Sequence, residues 1–264
     1  MKHGLFAQLS SFGVVLHLRA NSVPRSWIEE IFLPGWRLVE PDREPHTTIE
    51  IEKVDGTLSA ERFGIKVDRQ PVEAHLAVAR LARALDQIIH LKIAELSPEA
   101  VFLHAGVVAW QKKAILLPGR SMSGKSTLTR ALTDAGALYY SDEFAPVLPD
   151  GRVVPYPKAL SVRQSCGDPA KIDAHLLGWR DGLPAVPIAV IAAVRYDPHS
   201  APASKVHETS KAKAVVALLN NAVPAMRAPE RCLSTAVAAA RNARCLEGNR
   251  PEAAVFASAL LQEA

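Results

Sequence analysis

Hydrophobic and polar positions alternate in short runs over the first seventy residues. "FGVVLHL", "WRLVE", "HTTIEIEKVDG" and "ERFGIKVD" carry alternating or β-branched character and are separated by turn residues, which predicts strands. Asp55-Gly56 marks a turn between the third and fourth runs. The period then changes. Val78, Leu81, Ala82, Leu85, Ile88 and Ile89 recur at three- and four-residue spacing, giving one apolar face and predicting a helix from Pro71 to about Leu96. Pro71 suits a first helical turn, and Ser97-Pro98 ends the pattern.

From Val101 onward the apolar runs lengthen. "VFLHAGVVAW" and "KAILLPG" read as buried strands joined by a polar turn at Gln111-Lys112. Lys125 to Ala135 reads as a helix, with Gly136 in the position of a helix-terminating glycine. "ALYYSDE" predicts another strand, "LPDGRVV" a turn between short strands, and "PIAVIAAVRYD" a central strand. Asp197–Ser204 reads as an exposed loop. After Lys211 the pattern is helical through "KAKAVVALLNN", Pro229 to about Arg244, and Pro251 to the end. Strands alternating with helices predict an α/β fold with a mostly parallel central sheet, preceded by a smaller β-rich part. The division falls at residues 1–96, including a bridging helix, and 97–264.

Composition narrows the class. Of 264 residues, 48% are hydrophobic, which is enough for a buried core, and only 6% are aromatic. The net charge of +4 is spread along the chain with no dense basic block, so nucleic acid is not the expected partner. Cys166, Cys232 and Cys245 show no paired spacing and read as free thiols of a reducing compartment. No apolar run reaches the length of a membrane span, and no signal-peptide pattern opens the chain. The expected location is the cytoplasm.

One stretch carries specific chemistry. "LPGRSMSGKSTLTR" places Gly119, Arg120, Ser121, Met122, Ser123, Gly124, Lys125 and Ser126 in the spacing of a phosphate-binding (P-loop) motif, between an apolar strand and a helix. Glycines let successive N–H groups turn inward onto phosphate oxygens, and the helix N-terminus adds positive potential. Lys125 would neutralise terminal phosphates and Ser126 would ligate Mg²⁺. The implied ligand is a nucleotide.

Acidic and imidazole groups flank the loop in sequence. Asp142-Glu143 closes the next strand, where one carboxylate can hold Mg²⁺ while the other accepts a proton from an attacking hydroxyl. Asp142 reads alternatively as a turn or helix cap. His104 reads as a catalytic group or as a core histidine, and Asp197 is a rival acidic residue. Arg120, Arg163 and Arg195 are candidates to stabilise a transferring phosphoryl group.

These residues together resemble a known family. From Phe102 to Val147, "FLHAGVV…AILLPGRSMSGKSTLTRALTDAGALYYSDEFAPV" is similar to the catalytic core of HPr kinase/phosphorylase, and more so to the smaller HPr-kinase-related proteins of peptide-biosynthesis clusters. "VVPYPKALSVR" and "PIAVIAAVRY" extend the resemblance. It implies ATP- and Mg²⁺-dependent phosphate transfer to a serine hydroxyl of a peptide or small protein, such as a lasso-peptide precursor, and leans toward a homo-oligomer. It also implies that Gly119, Ser121, Gly124, Lys125, Ser126 and Thr127 bind phosphates, that Asp142 is the catalytic carboxylate, and that His104 is the strand histidine. Glu143 stands where HPr kinase has a second Asp, and the strand motif is His-Ala-Gly instead of His-Gly. The arginine-containing signatures of phosphorolysis are not found, so neither the reverse reaction nor HPr as substrate is expected. Two alternatives stay open: a kinase of a free amino acid or sugar, and a nucleotide-responsive regulatory protein.

Overall fold

The structure, a computed structural model, describes residues 5–20, 23, 25–29, 32–34, 36–55, 61–119, 123–162, 170–199 and 205–264. It divides into two compact units, Met1–Glu99 and Ala100–Ala264.

The first unit holds a five-stranded sheet in the order β1-β2-β3-β4-β5. Strands β1 (Leu5–Ser11) and β2 (Val14–Ala20) form a hairpin over Phe12-Gly13, both with positive φ, the turn geometry that matches strand twist. The short helix α1 (Arg25–Glu29) precedes β3 (Thr47–Asp55), which runs parallel to β2. "WRLVE", expected as a strand, contributes only an isolated bridge from Val39 to Gln8. Strand β4 (Arg62–Val67) pairs antiparallel with β3 and with β5 (Gln70–Ala77). The turn expected at Asp55-Gly56 lies partly outside the described residues.

Helix α2 is Val78–Leu96, so the helix predicted from Pro71 begins seven residues late. Asp68 and Arg69 both take positive φ and close a second tight hairpin, which commits Gln70–Ala77 to the sheet edge. The apolar face begins only at Val78, and Leu81, Leu85, Ile89 and Ile93 bury it.

The second unit is a mixed α/β body. Its elements are β6 (Val101–Leu103), β7 (Ala105–Trp110), β8 (Lys113–Pro118), α3 (Lys125–Asp134), β9 (Leu138–Ser141) and β10 (Ala145–Val147). They continue with β11 (Leu160–Val162), β12 (Ala170–Ile172), a 3₁₀ turn over Ala174–Leu177, β13 (Ile188–Tyr196) and β14 (Lys205–Glu208). The chain closes with α4 (Lys211–Leu219), α5 (Pro229–Ala240), β15 (Arg244–Arg250) and α6 (Ala253–Gln262). The main sheet runs β14-β15-β13-β8-β7-β9.

Sheet residues alternate between two cores. Val107, Ala109, Leu116 and Ile191 face one side with Leu218 of α4 and Ala236 and Ala239 of α5. Val108, Ile115, Leu117, Val190 and Ala192 face the other with Leu128 and Leu132 of α3 and Phe256 and Leu260 of α6. Helices therefore cover both faces, which explains the continuous apolar runs of the central strands.

The sheet departs from the mostly parallel arrangement read from the sequence. Only β15, β13 and β8 pair parallel, while β14, β7 and β9 pair antiparallel with their neighbours. The cause is local: β7 and β8 are joined by the two-residue turn Gln111-Lys112, and a turn that short connects only antiparallel strands. The segment read as one strand, "VFLHAGVVAW", breaks at His104, and its first part, β6, leaves to pair with β10. Arg244–Arg250, which apart from Arg244 falls between the last two predicted helices, is strand β15.

Candidate functional site

Strand register gathers the candidate residues along one edge of the main sheet. Pro118 at the end of β8 lies opposite Ala105 at the start of β7, and Ser141 at the end of β9 lies opposite Val107. Because β7 runs against both neighbours, β8 and β9 finish on the same edge although β7 separates them. Tyr196 and Arg250 end β13 and β15 side by side, and both strands run parallel to β8. His104, the loop after β8, and Asp142 thus meet where the strand ends open.

Lys125 reaches back so that its Nζ donates to the Gly119 carbonyl at 2.5 Å. Burial pushes the Lys125 ammonium below its ordinary value, and the nearby charges of Asp142 and Glu143 pull it back up. Gly124 has φ of +85°, the left-handed region, and a Cβ there would lie 2.6 Å from Arg250 Nη2. Helix α3 starts directly after it, so the unsatisfied N–H groups of its first turn face the loop. Arg120, Ser121 and Met122 lie outside the described residues.

Asp142 is 6% exposed. The Ser126 hydroxyl donates to its Oδ2 at 2.7 Å, and its Oδ1 is buried with no hydrogen-bond partner among the described residues. Burial raises its carboxyl to about 6, against the opposing pull of the Ser126 hydrogen bond and the Lys125 charge. Gly106 makes room for this carboxylate: a Cβ there would sit 2.3 Å from Thr129 Oγ1 and 3.4 Å from Asp142 Oδ1.

Glu143 points elsewhere. Its backbone takes φ of +78°, unusual for a residue with a side chain. Its carboxylate accepts from Lys158 Nζ at 2.8 Å. Its carbonyl accepts from His104 Nδ1 at 3.2 Å, so Nδ1 carries the proton and Nε2 keeps the lone pair in the neutral ring. The exposed His104 ring lies 5.5 Å from Phe144.

The structure brings Lys125, Ser126 and Asp142 together and sets His104 and Glu143 beside them through the Glu143 backbone. Thr127 is exposed in the first turn of α3. Asp197 is engaged in its own turn, accepting from His199 N–H at 2.9 Å and Asn249 Nδ2 at 3.3 Å. Arg195 is exposed, and Arg163 lies outside the described residues.

Two basic residues at the site escape a reading along the chain. Lys158 is buried beside the acidic pair, with Nζ 5.3 Å from the Phe144 ring centroid. Arg250 is buried against the loop and donates from Nη2 to the Gly124 carbonyl at 2.9 Å. Lys158 lies in "VVPYPKALSVR", and a lysine amid apolar and proline residues is a weak signal of burial. Arg250 had none.

Mg²⁺ suits the donor set. The Ser126 hydroxyl and the Asp142 carboxylate are hard oxygen ligands held within 2.7 Å of one another. Among the described residues no group of three or more His, Cys, Asp or Glu side chains is assembled to hold a metal.

No protein-family model matches the chain, and no curated protein matches it. Among solved structures, the HPr(Ser) kinase/phosphatase from Coxiella burnetii is similar at 14% identity, with a TM-score of 0.32, over 62% of this chain and 99% of that chain. Among the described residues no helix is long and apolar enough to cross a membrane.

Proposed function

We propose that the chain is an ATP-dependent phosphotransferase that moves the γ-phosphoryl group to a hydroxyl, with a serine of a peptide or small protein as acceptor. The observation that carries this reading is the Ser126–Asp142 contact at 2.7 Å beside an inward-turned Lys125, at the N-terminus of a helix. The resemblance in sequence to HPr-kinase-related proteins supports the serine acceptor.

In this reading the loop from Gly119 to Thr127 cradles the phosphates, and Lys125 neutralises the terminal ones. Ser126 and Asp142 would hold Mg²⁺, which supplies charge neutralisation on the β- and γ-phosphates when bound. Glu143, drawn off by Lys158, is left out of that set. The acceptor oxygen bonds to the γ-phosphorus as the bond from phosphorus to the bridging β–γ oxygen breaks, and ADP leaves. Asp142 takes the acceptor's proton. His104, its tautomer set by the Glu143 carbonyl, orients the acceptor side of the site.

The test is transfer of label from [γ-³²P]ATP to a library of serine-containing peptides. Labelled peptide with the wild type, and loss of at least about 100-fold in rate with Asp142→Asn, are expected. Label appearing only in added amino acids or sugars would overturn the peptide acceptor. No release or transfer of label with any acceptor would overturn the enzyme reading.

A further inference from the structure

Arg250 ends β15 and is only 2% exposed. Its Nη1 donates to the Pro251 carbonyl and its Nη2 to the Gly124 carbonyl, each at 2.9 Å, while its Nε has no hydrogen-bond partner among the described residues. The Tyr196 ring centroid lies 5.3 Å from its Cζ. Glu252 is the carboxylate whose charge it feels, and Glu252 accepts the Tyr196 hydroxyl. Among the described residues no carboxylate forms an ion pair with this buried guanidinium, an arrangement that costs free energy unless something completes it.

Its contacts also fix the loop's peptide planes. The Ser123 carbonyl accepts from Tyr196 N–H at 3.2 Å. The Gly124 carbonyl accepts from Arg250 and also from Leu128 N–H, the first hydrogen bond of α3, at 3.1 Å. In a trans peptide the next residue's N–H points opposite to the carbonyl. Tying these two carbonyls to the ends of β13 and β15 therefore turns the Gly124 and Lys125 N–H groups to the opposite side of the loop. The missing side chain at Gly124 allows the approach.

We propose that Arg250 is a positioning residue for the phosphate-binding loop. Through Gly124 it sets the N–H donors that take the polyphosphate of a nucleoside triphosphate, and its buried charge stands behind them as the counter-charge to the bound phosphates. The inference rests on the reading of the loop as a nucleotide site.

The experiment titrates Mg-ATP into the full chain by calorimetry, comparing wild type, Arg250→Met, Arg250→Lys and Lys125→Ala. Thermal melts with and without Mg-ATP accompany it, together with kcat and KM. Arg250→Met should melt cooperatively yet bind about 10- to 100-fold more weakly, the scale of a lost charged hydrogen bond. The rise in melting temperature on adding Mg-ATP should shrink with it, and KM should rise more than kcat falls. Arg250→Lys, which keeps the charge and a donor, should recover part of the affinity. A purely structural role would lower the nucleotide-free melting temperature and leave the affinity of the folded protein unchanged.

Affinity of Arg250→Met within twofold of wild type, with Lys125→Ala impaired, overturns the role of Arg250 alone. No binding by the wild type overturns the nucleotide reading as well. Should Arg250→Met fail to fold, Arg250→Lys decides: intermediate affinity supports the proposal and unchanged affinity overturns it.

Discussion

Replacing Asp142 with Asn should stabilise the nucleotide-free protein while disabling it. The carboxyl has an ordinary value of 3.8 and is held at about 6 by burial. The pH window follows from that direction. Below 3.8 the group is protonated whether the chain is folded or unfolded, and burial carries no charge penalty. Between 3.8 and about 6 the folded chain keeps the proton that the unfolded chain releases, so stability falls as pH rises. Above 6 the full penalty applies. A difference of roughly two pH units corresponds to about 3 kcal/mol. Asn keeps the shape and an acceptor for the Ser126 hydroxyl without the charge. In a unit of this size that gain corresponds to a rise of about 6–12 °C in melting temperature. The assay is a thermal melt of both proteins in chelator, without nucleotide, from pH 4 to pH 8. The advantage of Asp142→Asn should be near zero at pH 4 and grow through pH 6. A variant no more stable than wild type at pH 7.5, or an advantage of equal size at every pH, would refute the reasoning.

Other variants probe the surroundings of that carboxylate. In a Lys158→Met background the Asp142→Asn advantage should still begin near pH 4 but keep growing to a higher pH and level off at a larger value, because the Lys158 charge favours ionised Asp142 in the folded chain; the same series of melts measures it. Gly106→Ala would force a methyl to within 2.3 Å of Thr129 Oγ1. It should destabilise by about 1–3 kcal/mol, and adding Thr129→Ala should recover most of the loss in a urea titration. Tyr139→Phe removes the buried hydroxyl that donates to the Lys158 carbonyl at 2.6 Å. It should cost about 1 kcal/mol by denaturant titration, with peptide labelling reduced if the Lys158 segment shapes the site.

What could be read along the chain was what lies close together in it. Strand β8, the loop and α3 are contiguous, so spacing and apolar pattern expose them at once. Asp142 follows one strand later, and the break after Ala135-Gly136 makes its strand legible. Strand β5 was not legible, because nearly all its side chains are exposed and no alternation distinguishes it; Pro71 then imitates a helix start. β15 was hidden for a different reason. "RCLEGNR" lacks β-branched residues, and its strand state comes from pairing with β13 on one side and β14 on the other. Arg250 therefore reaches Gly124 across 126 residues of sequence, a contact that only the assembled sheet creates. The sheet's mixed direction was implicit in the two-residue turn at Gln111-Lys112, which rules out parallel pairing of the strands it joins.

The most direct test of the nucleotide-binding site is calorimetric titration of Mg-ATP into wild type and Lys125→Ala under identical conditions. The account predicts saturable one-site binding to the wild type, and affinity at least about tenfold lower once the Lys125 ammonium is gone. Equal affinity in the two proteins, or no binding to either, would contradict it.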